Sequence, residues 1–175
     1  MKEFDFTLKF SFAQLDDDAA DYVEQLGAAG CDDALIGIGQ KGRVALQFLR
    51  EADNANDAVL SAIEAVKSVI ADAKLVEAAP DLVGLSDIAE LLGFSRQNMR
   101  KLMLTHQLTF PAPMHEGKSA IWHLAKVLVW FEANQNKSID PVLLETAHST
   151  MQLNIGRGVA CLDQPFAQRV GVLMV

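Results

Sequence analysis

The chain has 175 residues, is half hydrophobic and carries a formal net charge of −8. This length and composition suit one medium domain or two small ones with ample apolar side chains for cores. The sequence has no apolar run of membrane-spanning length, and its first five residues lack the apolar stretch of a signal peptide, so we expect a cytoplasmic protein. It has only two, widely separated cysteines, so we expect no disulfide, metal site or cofactor.

The first 79 residues predict an α+β module that begins with an amphipathic strand. Polar and apolar side chains alternate from residue 3 to residue 12, which predicts a strand with one buried face. The apolar positions of this strand are Phe4, Phe6, Leu8, Phe10 and Phe12. Residues 16–29 then predict a helix that buries Ala19, Val23 and Leu26.

The rest of this module predicts three further strands and a second helix. The elements are, in order, a strand at residues 34–38, a turn at 39–42, a strand at 43–49, a helix at 56–71 and a strand at 74–78. The order β-α-β-β-α-β is that of a ferredoxin-like fold, so we expect a four-stranded antiparallel sheet with both helices on one face. Pro80 can neither extend the last strand nor donate to it, so residues 77–81 predict a short linker.

The residues of this module favour a regulatory role over an enzymatic one. The string from Gly37 to Gly42 matches G-x-G-x-x-G, but it precedes a predicted strand, whereas a dinucleotide site opens a helix. The aromatic side chains of the first strand lie on its buried face, where they are not available to stack on RNA bases. No Ser/His/Asp or Cys/His grouping stands out. We therefore expect no enzyme activity, and dimerisation, ligand sensing and capture of a partner protein stay open.

The charge of the chain is unevenly distributed. Residues 1–80 hold 7 Lys or Arg against 15 Asp or Glu, residues 81–136 hold 5 against 5, and residues 137–175 hold 3 against 3. The four aspartates between residues 16 and 21 either complement the dipole of a helix or form a docking surface for a basic protein. If the second region binds DNA, the acidic first region should face away from it.

Residues 84–105 predict two short helices separated by a tight turn. Ser86 is a good N-cap for the first helix, and Gly93 is a residue at which that helix would stop. Ser95 provides a second N-cap directly after the break. This order of caps predicts a helix-turn-helix.

The second of these helices, residues 95–104, would present a polar face. Met99, Leu102 and Met103 recur at helical spacing and should point inward. The opposite side then carries donors suited to a major groove, because Arg pairs with guanine edges, Gln and Asn with adenine, and Lys with phosphate. The residues predicted to contact DNA from this helix are Ser95, Arg96, Gln97, Asn98, Arg100 and Lys101.

After this helix the sequence predicts a wing-like hairpin and a closing amphipathic helix. The hairpin region contains the stretch Phe-Pro-Ala-Pro at residues 110–113 and, after it, Gly117. Lys118, next to this glycine, is a further predicted DNA contact. Trp122 on the return strand and Trp130 on the closing helix are predicted core residues, since large aromatic side chains seal small bundles.

These features, taken in order, resemble a known family. The stretches GLSDIAELLGFSRQNMRKLM and FPAPMHEGKSAIWHLAKVLVWF are similar to the winged helix-turn-helix of AlpA-type phage regulators, excisionases and the MerR-like group. The likeness rests on the turn at residues 93–96, the Phe-Pro-x-Pro strand, the glycine-containing wing and the helix that ends in Trp-Phe. It implies a winged fold and binding of double-stranded DNA over residues 82–136.

The tail predicts one helix and an apolar terminus. Asp140 can cap a helix that begins at Pro141 and runs to about Ile155, where residues 156–158, Gly-Arg-Gly, would end it. The apolar run at residues 170–175 would be exposed in a monomer. We expect it to pack against a second subunit or against the chain's own sheet.

The sequence thus predicts three regions with one main function. They are a ferredoxin-like regulatory or interaction domain at residues 1–79, a winged helix-turn-helix at 82–136 and a helical tail at 137–175 that serves dimerisation. We expect a sequence-specific transcriptional regulator of phage or mobile-element type that binds double-stranded DNA as a homodimer. The alternative is an antitoxin-type or other interaction protein whose acidic N-terminal domain neutralises a partner, with DNA binding secondary.

Overall fold

The computed structural model describes residues 1–12, 19–37 and 41–174 and shows an α+β protein built on a four-stranded antiparallel sheet. The strands are β1 (Lys2–Ser11), β2 (Ala34–Gly37), β3 (Arg43–Ala52), β4 (Lys74–Ala79), β5 (Leu82–Gly84) and β6 (Ile121–His123). The helices are α1 (Val23–Leu26), α2 (Ala55–Val69), α3 (Leu85–Leu92), α4 (Arg96–Thr105), α5 (Leu124–Gln135), α6 (Pro141–Val159) and α7 (Gln164–Leu173). Within the described ranges, no helix combines the length and the apolar character that crossing a membrane requires.

The four-stranded sheet has the order β2-β3-β1-β4. β1 pairs with β3 along its whole length, from Lys2 opposite Ala52 to Ser11 opposite Arg43. The alternation predicted for the first strand is confirmed, because its five apolar side chains are all buried beneath the sheet. β3 continues to Ala52, three residues beyond its predicted end.

Helix α2 packs under the sheet and completes the first hydrophobic core. Asn54 caps it, since the Asn54 side chain accepts a hydrogen bond from the N–H of Asp57 at 2.9 Å. Val59 and Val66 are buried, and Ile63 is half-buried at the margin of the same core. Helical spacing predicts an apolar stripe of Val59, Ile63, Val66 and Ile70 for this segment, and the structure confirms that all four lie on the first core.

The first predicted helix takes a different form. A 3-10 turn (Ala19–Tyr22) precedes α1, and a π-helical turn that contains Gly30 at φ 96° follows it. Val23, predicted as buried, is 40% exposed, whereas Leu26 and Cys31 are buried. The prediction assumed one regular helix, but the tighter and wider turns on either side of α1 rotate Val23 outward. Asp16, Asp17, Asp18 and the turn residues 38–40 lie outside the described residues.

Residues 77–81, predicted to be a linker, belong mostly to the sheet, because β4 extends to Ala79 and leaves only Pro80 and Asp81 between β4 and β5. Asp81 is 1% exposed, and its carboxylate lies 2.6 Å from Nδ1 of His123 and accepts a hydrogen bond from Asn154 at 2.8 Å. Asn154 also pairs with both backbone groups of Ala78, while the Thr150 hydroxyl donates to the carbonyl of Pro80. These contacts hold the chain between β4 and β5 against β6 and α6.

A second core lies under α3, α4 and α5. Both tryptophans are buried as predicted: the Trp122 indole N–H donates to the carbonyl of Pro111 at 3.0 Å, and the Trp130 indole N–H lies 3.3 Å from the Thr109 hydroxyl. The ring of Phe110 meets both indoles edge to face, at 6.1 and 5.0 Å between centroids. Such edge-to-face contacts add to the burial energy of large rings.

The hairpin predicted between Phe110 and Trp122 is only partly formed. Residues 110–113 are not a strand, and β6 pairs instead with β5, Val83 lying opposite Trp122. The segment approaches β6 through a single bridge between His115 and Ile121. The physical reason is that Pro111 and Pro113 have no N–H to donate to a ladder.

Helix α6 packs against both cores. Val142 and Leu153 pack on the first core, and Ala147 is buried in the second. The helix does not end at the predicted Gly-Arg-Gly but runs to Val159. Glycine inside a helix costs only about 1 kcal/mol relative to alanine, so the two glycines do not terminate a helix anchored along its earlier turns.

The predicted apolar terminus is helical as far as Leu173. α7 starts after the cap Asp163, whose side chain accepts from the N–H of Phe166 at 3.0 Å. None of its residues is buried, and Phe166, Leu173 and Met174 are more than half exposed. Packing of this run on the chain's own sheet is therefore wrong for the part of it that the structure describes, which ends at residue 174.

Candidate nucleic-acid interface

The turn between α3 and α4 is fixed by backbone hydrogen bonds. The N–H of Phe94 donates to the carbonyl of Ala89 at 2.7 Å, and the N–H of Gly93 donates to the carbonyl of Glu90 at 3.2 Å. Gly93 has φ 71°, the left-handed conformation that this pattern of helix termination requires. The stop predicted at Gly93 is confirmed, and the chain enters α4 in a defined direction.

The caps of both helices come from neighbouring side chains. The predicted cap Ser86 lies inside α3, because the helix begins at Leu85, two residues before the start that a Ser86 cap implies, and Asp87 accepts from the N–H of Gly84 at 2.7 Å. Ser95 caps α4 as predicted, its hydroxyl accepting from the N–H of Asn98 at 3.1 Å. Ser95 is thus engaged with the helix backbone, although its side chain remains at the surface.

Helix α4 places its apolar residues inward and its polar residues outward. Met99 is fully buried, while Leu102 and Met103 are half-buried against the second core. Every predicted DNA-contact residue is exposed: Ser95, Arg96, Gln97, Asn98, Arg100, Lys101 and Lys118. The face predicted from helical spacing is therefore available to a ligand.

Two shallow concavities adjoin this face. One, of about 670 Å³, is lined by Gln97, Asn98, Arg100 and Lys101 together with the last turn of α4. The other, of about 650 Å³, lies between α4, the start of α3 and the segment before β6, and its lining includes Arg96, Arg100 and Lys118. Arg100 borders both, so the structure brings all the predicted basic residues onto one continuous surface.

The basic side chains of this surface form no ion pair with the part of the chain that the structure describes: no salt bridge there involves Arg96, Arg100, Lys101 or Lys118. Asp87 borders the second concavity, and its carboxylate accepts a hydrogen bond from the N–H of Gly84 at 2.7 Å. An approaching phosphate would therefore meet cations that have no ion-pair partner among the described residues.

Two surface residues escaped the sequence-based reasoning. Leu104 is 54% exposed and lies in both concavities beside the polar face. Leu108 is 96% exposed on the loop after α4. In the sequence these two leucines can be recognised only as apolar side chains that lie outside the inward-facing stripe of residues 99, 102 and 103. Apolar side chains at such positions can contact the methyl group of thymine.

A separate groove of about 500 Å³ lies between α2 and α6. Its walls are mainly apolar and include Val59, Leu60 and Leu153. Its polar lining includes Ser149, whose hydroxyl lies 2.7 Å from Oδ1 of Asn56, and the exposed Arg157. Within the described ranges, no group of three or more His, Cys, Asp or Glu side chains is placed to hold a metal ion.

Comparisons of the chain with family models, with curated proteins and with solved structures return no match.

Proposed function

We propose that the chain is a transcriptional regulator that binds double-stranded DNA in a sequence-specific manner through α4. The observation that carries the proposal is the exposed cluster of Arg96, Arg100 and Lys101, which form no ion pair among the described residues, on a helix anchored from below by Met99. A helix of ten residues is about 15 Å long and fits a major groove about 12 Å wide. Arg96 and Arg100 then contact base edges, and Lys101 contacts phosphate.

We further propose that the two cores correspond to a ferredoxin-like domain and a winged helix-turn-helix. The strand order β2-β3-β1-β4 with α2 beneath the sheet supports the first assignment. The three-residue turn at 93–95 and the position of Lys118 across a concavity from Arg96 support the second. In this proposal the segment before β6 serves as a wing that reaches the phosphate backbone.

The proposal is tested by fluorescence anisotropy with duplex DNA that flanks the gene encoding the protein, at several salt concentrations. Replacing Arg96 or Arg100 by Ala should cost about 1–3 kcal/mol on a specific site. Lys101→Ala should weaken all sequences alike and reduce the salt slope by about one unit. Lys126→Ala on α5 is a matched control, because it removes an exposed cation outside the α4 surface. Unchanged affinity in the Arg96/Arg100 double variant would refute the assignment.

The second candidate is an antitoxin-type interaction protein, favoured by the excess of 15 acidic over 7 basic residues in the first 80 positions. An acidic surface attracts a basic partner and speeds its association. Affinity capture with the full chain separates the two functions. One stoichiometric basic protein in the eluate, together with no binding to duplex DNA, would favour this candidate.

A further inference from the structure

The outer face of the four-stranded sheet is not covered by any helix of the described chain. α2 and α6 pack with the opposite face, where the first core lies. The side chains on the outer face are Glu3, Asp5, Thr7, Lys9 and Ser11 of β1, Arg43, Ala45, Gln47, Leu49 and Glu51 of β3, Leu35 and Gly37 of β2, and Lys74 and Glu77 of β4. We call this set the outer sheet face.

Charge on the outer sheet face is segregated along the strands. At one end Glu3 lies directly opposite Glu51, and Asp5 follows in the next row. At the other end Arg43 and Lys74 flank Ser11 on either side. Like charges directly opposite each other across a sheet are destabilising, so the Glu3–Glu51 pair carries an electrostatic cost in an isolated subunit.

Two exposed leucines lie between the charged ends of the outer sheet face. Leu35 on the edge strand is 73% exposed and lies opposite Gln47, in the same row as Thr7. Leu49 is 52% exposed and lies opposite Asp5, in the next row toward the acidic end. Exposed apolar side chains between charged ends are typical of a surface that associates with a partner.

The register determines which partner fits. Thr7 lies opposite Gln47, in the row halfway between Glu3–Glu51 and Ser11–Arg43. A second copy can stack its sheet on the first through a two-fold axis that lies between the two sheets, runs perpendicular to the strands and passes over this middle row. This axis places each strand over the same strand of the second copy, running in the opposite direction. Each row then faces the row equally far on the other side of the centre.

Two of the pairs that result bring opposite charges together. Glu51 faces Arg43 of the second copy, and Asp5 faces Lys9, which also pairs with Glu77 of its own subunit at 3.0 Å. Leu49 faces Ala45, and Leu35 faces its own symmetry mate. Sheets that pack face to face lie about 10 Å apart, a distance that long charged side chains on both sides can bridge.

We propose that the outer sheet face is the homodimer interface of this protein, with two copies related by that axis. The charge pattern favours a second copy over an unrelated protein, because one surface carries both halves of the match. α7 is the competing element, but its exposed apolar side chains offer no comparable charge pattern. The inference supplies the partner surface of a dimeric regulator yet does not depend on DNA binding, since its test is the mass in solution.

The test is sedimentation equilibrium of the full chain with reversed charges. In the dimer, Glu51→Arg puts an arginine opposite Arg43 at both symmetry-related positions. Arg43→Glu likewise puts a glutamate opposite Glu51 at both positions. Each like-charge contact is repulsive, so each single variant should weaken the dimer by about tenfold or more. Glu51→Arg removes the like-charge pair with Glu3, and Arg43→Glu changes an exposed side chain opposite Ser11, so neither change should unfold the subunit. The double variant Glu51→Arg/Arg43→Glu should restore wild-type dimerisation. Glu64→Arg, exposed on α2, is the matched control and should leave the dimer unchanged.

Phe166→Glu on α7 separates the sheet from the tail, and the expected result is an intact dimer. The proposal is overturned if the wild type is monomeric, if neither single reversal weakens the dimer, or if the double variant fails to restore it. Loss of the dimer in Phe166→Glu together with full dimerisation of both single reversals would assign the interface to the tail instead.

Discussion

Replacing Asn154 by Ala should destabilise the protein by about 3 kcal/mol, because this one amide completes the edge of the sheet. Asn154 accepts from the N–H of Ala78 at 2.9 Å and donates to the carbonyl of Ala78 at 2.7 Å and to Asp81 at 2.8 Å. Asn154 is 8% exposed, and both partners are buried. The substitution leaves two backbone groups and one carboxylate oxygen without their partner.

The magnitude follows from the cost of unsatisfied groups. A buried polar group that loses its partner costs about 1–3 kcal/mol. Three groups are affected, but water can reach part of an edge strand once the side chain is shortened, so we expect about 3 kcal/mol in total. Asn154→Asp should be worse, because it places a second carboxylate beside Asp81 and removes the donor to the carbonyl of Ala78.

Urea denaturation followed by tryptophan fluorescence measures this loss in the free energy of unfolding. Asn134→Ala is the matched control: Asn134 is exposed and makes one hydrogen bond, to the carbonyl of Trp130, so its removal should stay within about 0.5 kcal/mol. A loss below about 1 kcal/mol for Asn154→Ala would refute the reasoning, since the edge of β4 would then not depend on this amide.

Three other predictions concern packing, pH and thiol reactivity. Trp130→Ala should cost about 3–5 kcal/mol by denaturation, since its ring contacts three other aromatic or imidazole rings in the second core; a variant of wild-type stability that no longer binds DNA would make it a contact residue. Hydrogen bonds from Lys2 and from a backbone N–H lower the pKa of Glu145, so its stabilising effect is present at neutral pH and is lost as the pH falls below about 4.5. Glu145→Gln should flatten the stability profile in that acidic range, and an unchanged slope would contradict this. Iodoacetamide should label the exposed Cys161 well before Cys31, whose pKa is raised by burial; equal rates would argue against the buried position.

The parts of the fold that follow from local patterns could be predicted from the sequence. The two-residue alternation of β1 and the helical stripe of α2 each report burial within one element. The cap Ser95 acts within one turn of α4, so its chemistry is visible in the adjacent residues. The exposed polar face of α4 follows for the same reason, because Met99 fixes which side points inward.

The parts that depend on distant residues could not be predicted. Asp81 looks like a linker residue, and only its contacts with His123 and Asn154 bury it. The pairing of β5 with β6 joins residues about forty positions apart and replaces the hairpin that the local pattern suggested. α6 continues past Gly156 although the sequence offers a stop there, because the packing of its earlier turns on both cores outweighs glycine propensity.

The position of α6 between the two cores also governs how the chain folds. During synthesis the sheet strands and the α3–α4 pair leave the ribosome before α6, so Leu153 and Asn154 reach their partners last. Neither core is complete until then, and the edge of β4 stays open to other chains. Folding therefore finishes late in synthesis. Because both cores depend on α6, the folded protein should melt in a single transition. For the same reason, the amide protons of both cores should exchange with solvent through the same opening of the structure.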